Sequence, residues 1–186
     1  MNDVPPEIKD RVIGEMGDYH PPSWDEWFMS KVYLVASKSK DHRTKIGSVL
    51  IKERRIISEG YNGICMDIND TVSERFERPE KYFWFEHSER NCVYSAARFG
   101  ISTLGSILYT QGIPCCDCTR AVIQSGIKEV VVHKQWEEFE EFFTWEKWKD
   151  QAKRSVVMLD ESNIKVRRLD KILNVTGYLD GKIIKC

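Results

Sequence analysis

His87-Ser88-Glu89 and, further along, Pro114-Cys115-Cys116-Asp117-Cys118 are the two stretches whose reading decides what this chain can be. One imidazole and two thiols, His87, Cys115 and Cys118, can hold a metal ion through three protein ligands. A zinc site closed by a fourth protein ligand is structural, whereas one that keeps its fourth position for water is catalytic. Cys115 and Cys118 are spaced so that, on a helix, both sulfurs point the same way. The positive end of that helix favours thiolate over thiol. Glu89 is the acid left over, close enough to the ligands to move protons. Cys116, between the ligands, reads as a small apolar filler. His20, His42 and His133 lack partners at ligand spacing and read as surface or packing residues.

Working outward, each half of the motif opens a helix. His87 starts one that reaches about Phe99 and stops at Gly100; Cys115–Gln124 forms another, ended by Ser125-Gly126. Strands are expected at Ser106–Thr110 and Ile127–Val132, and upstream at Ile46–Ile51 and Arg55–Glu59, joined by the charged turn Lys52-Glu53-Arg54. An earlier helix begins after Ser23, with Glu26 completing a capping box and Trp24, Phe28, Val32, Val35 and Ala36 on one stripe. Downstream, Glu137–Lys153 is a helix crowded with Phe139, Phe142, Phe143, Trp145 and Trp148, which implies burial on more than one side. Ser155–Ser162 continues it, Asn163 takes the left-handed cap, and Ile164–Leu169 is a last strand. Gly60-Tyr61-Asn62-Gly63 is either a plain turn or a loop whose glycines admit positive φ and close approach of a ligand. Cys65 to Glu86 is irregular and polar, long enough for a functional connection.

This order gives an α/β fold, a three-layer α/β/α sandwich around one mixed five-stranded sheet. The first two strands pair as a hairpin and those that follow helices run parallel. Residues 1–22 form an N-terminal arm broken by prolines, residues 23–169 the main domain, and residues 170–186 a tail that is either a hairpin or loose. The 186 residues suit one domain, and a net charge of −1 gives no general reason to expect nucleic-acid binding. Met1 to Met16 lacks the apolar core of a signal peptide, and no stretch approaches the roughly 20 apolar residues that span a bilayer. The six cysteines are therefore expected reduced, and the compartment cytoplasmic, the host's if the chain is viral.

H-x-E followed by P-C-x-x-C is the signature of zinc-dependent nucleobase deaminases. The resemblance runs from about Trp24 to Leu169 and is to the deoxycytidylate (dCMP) deaminases of the cytidine deaminase-like superfamily. It is carried by Trp24-Asp25-Glu26-Trp27-Phe28-Met29, Ile46-Gly47-Ser48-Val49-Leu50-Ile51, Gly60-Tyr61-Asn62-Gly63, His87-Ser88-Glu89-Arg90-Asn91, Ala96-Ala97-Arg98-Phe99-Gly100 and Ser125-Gly126-Ile127. The resemblance implies hydrolysis of dCMP to dUMP with Zn²⁺ on His87, Cys115 and Cys118, and Glu89 as proton shuttle. It implies deoxynucleoside triphosphate control with Mg²⁺, dCTP activating and dTTP inhibiting, and assembly into hexamers. The resemblance also implies that Asn62 matches the position that faces the substrate sugar and that Trp136 falls near a family aromatic that contacts the pyrimidine. The resemblance likewise assigns Gly60, Tyr61 and Gly63 to a loop shared with the regulatory pocket and Arg98 to a helix position linked to subunit contacts.

Three departures stand out. Ser88 replaces the usual Ala, Ile64-Cys65-Met66 follows the glycine loop in place of Pro and Gly, and Lys40-Asp41-His42-Arg43 offers no cysteine for a second zinc, so one zinc per subunit is expected. Arg43, Lys45 and Arg120 are the candidates for the 5′-phosphate. The partners expected are small nucleotides, with no membrane and no nucleic acid. A polynucleotide deaminase stacking bases on Trp84, Phe85 and Trp136 is the first alternative, disfavoured by the charge balance. A non-catalytic zinc-bearing subunit is the second, disfavoured because a structural site has no use for Glu89.

Overall fold

The computed structural model describes residues 20–186, apart from the side chains of residues 141–145 and 147. The arm expected over residues 1–22 therefore lies almost wholly outside the described residues, as do the side chains of Phe142, Phe143 and Trp145.

Helix α1 (Trp24–Ala36) opens where the sequence places it. Ser23 accepts from the Glu26 amide at 3.3 Å, and the Glu26 carboxylate accepts from the Ser23 amide at 2.8 Å, so two otherwise orphaned amides are satisfied. Its inward stripe is Phe28, Met29, Val32, Tyr33 and Ala36, whereas Trp24 is half exposed. Strands β1 (Gly47–Lys52) and β2 (Arg55–Tyr61) form the expected hairpin, turning through Glu53 and Arg54, both at positive φ.

The connection that follows is less irregular than its polarity suggests. Strand β3 (Gly63–Ile64) pairs with β4 (Phe85–Glu86), and between them lie a 3₁₀ turn (Ser73–Phe76) and helix α2 (Lys81–Trp84). Then come α3 (Ser88–Arg98), β5 (Ile107–Thr110), α4 (Cys116–Gln124), β6 (Glu129–His133), α5 (Lys134–Glu161) and β7 (Lys165–Leu169). The two downstream helical stretches are one continuous helix, α5. Gly100 at φ 66° and Asn163 at φ 54° close α3 and α5 in the left-handed conformation.

The sheet order is β2-β1-β5-β6-β7, mixed and five-stranded as expected. Strand β1 runs antiparallel to both neighbours, while β5, β6 and β7 are parallel to one another. Alternation of side chains sorts the core into two layers. Val49, Tyr109 and Val131 face α1, and Leu50, Leu108 and Val130 pack with Cys92 and Ala96 of α3, Val122 of α4 and Leu159 of α5. Residues 170–186 resolve in favour of a hairpin, β8 (Thr176–Leu179) and β9 (Lys182–Lys185), whose Leu179 and Ile184 join the α1-side core. None of the helices among the described residues is long and apolar enough to cross a membrane.

Candidate metal centre and active site

Two helix starts converge on one point. His87 is the N-cap of α3 and Cys115 the N-cap of α4, both with extended backbone, and Cys118 sits in the first turn of α4. One donor atom from each of His87, Cys115 and Cys118 lies within 4.8 Å of the others, with His87 Nδ1 at 3.4 Å from Cys115 Sγ. An imidazole and two sulfurs converging this closely fit zinc, with no fourth protein donor in the cluster among the described residues. The S–H of Cys118 and the neighbouring imidazole hold the Cys115 thiol down to about 4, against the opposing effect of burial. Cys118 moves the other way, because it keeps its proton beside that sulfur and is buried. His87 is raised, chiefly by its bond to Cys115. Cys116 turns away, its sulfur 3.6 Å from the Gln151 carbonyl.

Glu89 lies in the first turn of α3, 6 % exposed. Burial raises its pKa, with His87 pulling the other way, so the carboxyl is moved toward the range where an acid can both give and accept a proton. Ser88 Oγ donates to Glu89 Oε2 at 3.0 Å and lies 2.8 Å from Ser48 Oγ, which is 3.1 Å from Thr110 Oγ1. All three hydroxyl residues are fully buried. The Thr110 hydroxyl in turn reaches the Gly47 carbonyl at 3.3 Å. Behind the metal ligand, Glu86 accepts from the His87 amide at 2.9 Å and pairs with Arg90, which also reaches Asp117.

These groups open on a cavity of about 480 Å³. His87, Glu89 and Cys115 line it, together with Asn62, Trp136, Trp148 and Glu140, whose carboxyl is pushed up by burial to about 7. Trp136 is wholly buried, and its indole N–H has no hydrogen-bond partner among the described residues. Asn62 lines the cavity with its amide engaged elsewhere: Nδ2 donates to Asp41 and to the Thr44 carbonyl, and Oδ1 accepts from the Ile46 amide.

The glycine loop corrects one expectation. Neither Gly60 nor Gly63 adopts positive φ. Gly60 is required for a different reason: a Cβ there would stand 2.4 Å from the Cys92 amide nitrogen and 2.6 Å from the Ser88 carbonyl, so β2 packs directly on the backbone of α3. Gly63 pairs with Glu86 across β3 and β4, and Tyr61 is exposed. Arg98 is exposed on α3. Arg43, Lys45 and Arg120, the phosphate candidates, are not on the cavity wall; Lys45 bonds the Ser39 carbonyl and Arg120 pairs with Asp117. Among the described residues, the Lys and Arg side chains that do line it are Arg78, Lys81 and Arg90. The only sequence signal for the first two is that they sit in the long connection just ahead of His87.

A model of the cytidine and deoxycytidylate deaminase zinc-binding region matches residues 22–134, more than half of the chain. The chain belongs to that family. With the ligand triad, this makes it a zinc-dependent hydrolytic deaminase. It is similar to ComE operon protein 2 of Bacillus subtilis, 28% identical over 177 residues that cover 87% of this chain and 85% of the relative. To the deoxycytidylate deaminase of Saccharomyces cerevisiae it is 30% identical over 77% of its length, spanning about half (48%) of that protein. The dCMP deaminase of cyanophage S-TIM5, solved in complex with dCMP and dUMP, has the same fold. There the TM-score is 0.61 at 21% identity, covering 81% of this deaminase and 100% of that chain.

Proposed function

We propose that this deaminase hydrolyses dCMP to dUMP and ammonia. The observation that carries the reading is the Glu89 carboxyl, buried beside three converging metal donors and opening on a nucleotide-sized cavity. Its likeness to deoxycytidylate deaminases supports the pyrimidine nucleotide as substrate.

His87, Cys115 and Cys118 would hold the zinc, which when bound supplies the acidity that makes water a nucleophile near neutral pH. Glu89 takes a proton from the attacking water and delivers it to ring N3 of the base. It then takes the second proton to the leaving amine, so that C4 gains oxygen as its C–N bond breaks and ammonia departs. Ser88 holds the carboxylate through its hydroxyl during this exchange. Trp136 gives the base an aromatic wall, and Asn62 shapes the cavity end by fixing the Asp41–Ile46 loop.

Regulation by dCTP and dTTP with Mg²⁺ through Gly60, Tyr61 and Gly63, and assembly into hexamers through Arg98, belong to the same reading. They are supported by the exposure of Tyr61 and Arg98. A cytoplasmic setting, in which dUMP feeds thymidylate synthesis, completes it.

Glu89→Ala tests the assignment: zinc stays at one per chain while turnover of dCMP falls by more than about 10²-fold. Equal loss of zinc and activity would count against Glu89 as the shuttle. Ammonia release from dCMP, deoxycytidine and single-stranded DNA, measured side by side, tests the substrate.

A further inference from the structure

The geometry points to Arg78 as the side chain that recognises the substrate's phosphate. This rests on the reading above that the substrate is a nucleoside monophosphate. Such a ligand brings an anionic group into the cavity, and an anion is held best by a charged donor that no carboxylate already occupies. Among the described residues, three Lys and Arg side chains line the wall: Arg78, Lys81 and Arg90. Two of them are neutralised. Lys81 forms an ion pair with Asp41 in which both side chains are largely buried, and Arg90 is shared between Glu86 and Asp117. Arg78 has no ion pair or hydrogen bond to a carboxylate among the described residues, and it is exposed at the cavity rim.

The segment that carries Arg78 is held on both sides of it. Lys81 bonds back through its amide to the Glu77 carbonyl at 2.8 Å, closing a turn around Arg78 while its ammonium is fixed on Asp41. Upstream, Arg75 donates to the Asn69 carbonyl at 2.7 Å and lies 3.9 Å over the Trp84 ring. Lys40 pairs with Asp70 at 2.7 Å. The other cations around this segment thus secure the loop, and among the described residues the Arg78 guanidinium is the one left to offer its fork of donors to a ligand. Asp41 ties Lys81 to Asn62 and to the Arg43 and Thr44 amides, so this recognition lies at the Asp41–Asn62 end of the cavity. A guanidinium can bind two phosphate oxygens at once, which a lysine cannot match in geometry.

The test compares zinc-loaded wild type, Arg78→Gln and Arg78→Lys on dCMP and on deoxycytidine. Arg78→Gln is expected to lose about 10- to 100-fold in kcat/KM for dCMP, the range of a charge-assisted contact, mainly through KM. Its activity on deoxycytidine should change by less than about twofold, and Arg78→Lys should recover part of the loss. Inorganic phosphate should inhibit wild type competitively against dCMP and inhibit Arg78→Gln weakly. Equal losses on both substrates would show a structural effect and overturn the proposal, as would an unchanged preference for dCMP in Arg78→Gln. A wild type that handles deoxycytidine as well as dCMP would instead overturn the monophosphate reading on which the proposal stands.

Discussion

Gly60→Ala probes how tightly the sheet holds the catalytic helix. The new methyl group would be placed 2.4 Å from the Cys92 nitrogen, 2.6 Å from the Ser88 oxygen and 2.9 Å from the Asn91 carbonyl carbon. All three are backbone atoms of α3 or its first turn, so no flexible side chain can swing away. Reaching ordinary contact requires α3 to retreat from β2 by about 1 Å, the shift set by the gap between 2.4 Å and normal carbon–nitrogen contact. Overpacking of this kind costs about 1–3 kcal/mol, which in a domain of this size lowers the melting temperature by about 2–12 °C. The same shift moves His87 and Glu89 relative to Cys115 and Cys118. A misplacement of about 1 Å can cost roughly 10²-fold in turnover. Differential scanning calorimetry, zinc stoichiometry and kcat at saturating dCMP report the three effects. A variant that melts with wild type and keeps full kcat would refute the packing argument and return Gly60 to a role in ligand binding alone.

Other predictions follow from single contacts. Lys81→Met leaves Asp41, 3 % exposed, without its counter-charge and should cost about 3–5 kcal/mol in urea denaturation; an unchanged midpoint would show that the amides bonding Asp41 suffice without Lys81. His133 is buried with Nδ1 2.7 Å from the Tyr33 hydroxyl and Nε2 2.8 Å from the Lys171 carbonyl, and burial lowers its pKa. The unfolded chain then binds the extra proton more readily, so stability is full above about pH 6.5 and declines as pH falls below it. Thermal melts between pH 7.5 and 5 should show this slope in wild type and a flatter one in His133→Gln; identical slopes would exclude His133 as its source.

Much of the fold was legible because its signals are local. The Ser23–Glu26 box, the strands around Lys52-Glu53-Arg54, Gly100 and Asn163 each declare themselves within a few residues. The metal donors were legible for the same reason, two short motifs each starting a helix. What the sequence hid is non-local. Gly60 looks like a loop residue until β2 is laid on α3. Arg43, Lys45 and Arg120 stand off the cavity wall, because distance along the chain says nothing about which cations border a cavity formed by loop, helix and hairpin together. Ser88 reads in the sequence only as a departure from the usual Ala, and its neighbours emerge only from the register that sets Ser48 beside Thr110.

The row of oxygens from Thr110 through Ser48 and Ser88 to Glu89 has a consequence of its own. A hydroxyl has one hydrogen to offer, so each of the three can donate along only one of its contacts at a time. When Glu89 is an acceptor, Ser88 donates to it; when it becomes a donor, Ser88 can turn to Ser48, while Ser48 donates to Thr110 and Thr110 to the Gly47 carbonyl. The interior thus offers that carboxyl a partner in either form, a donor when it is charged and an acceptor when it holds the proton.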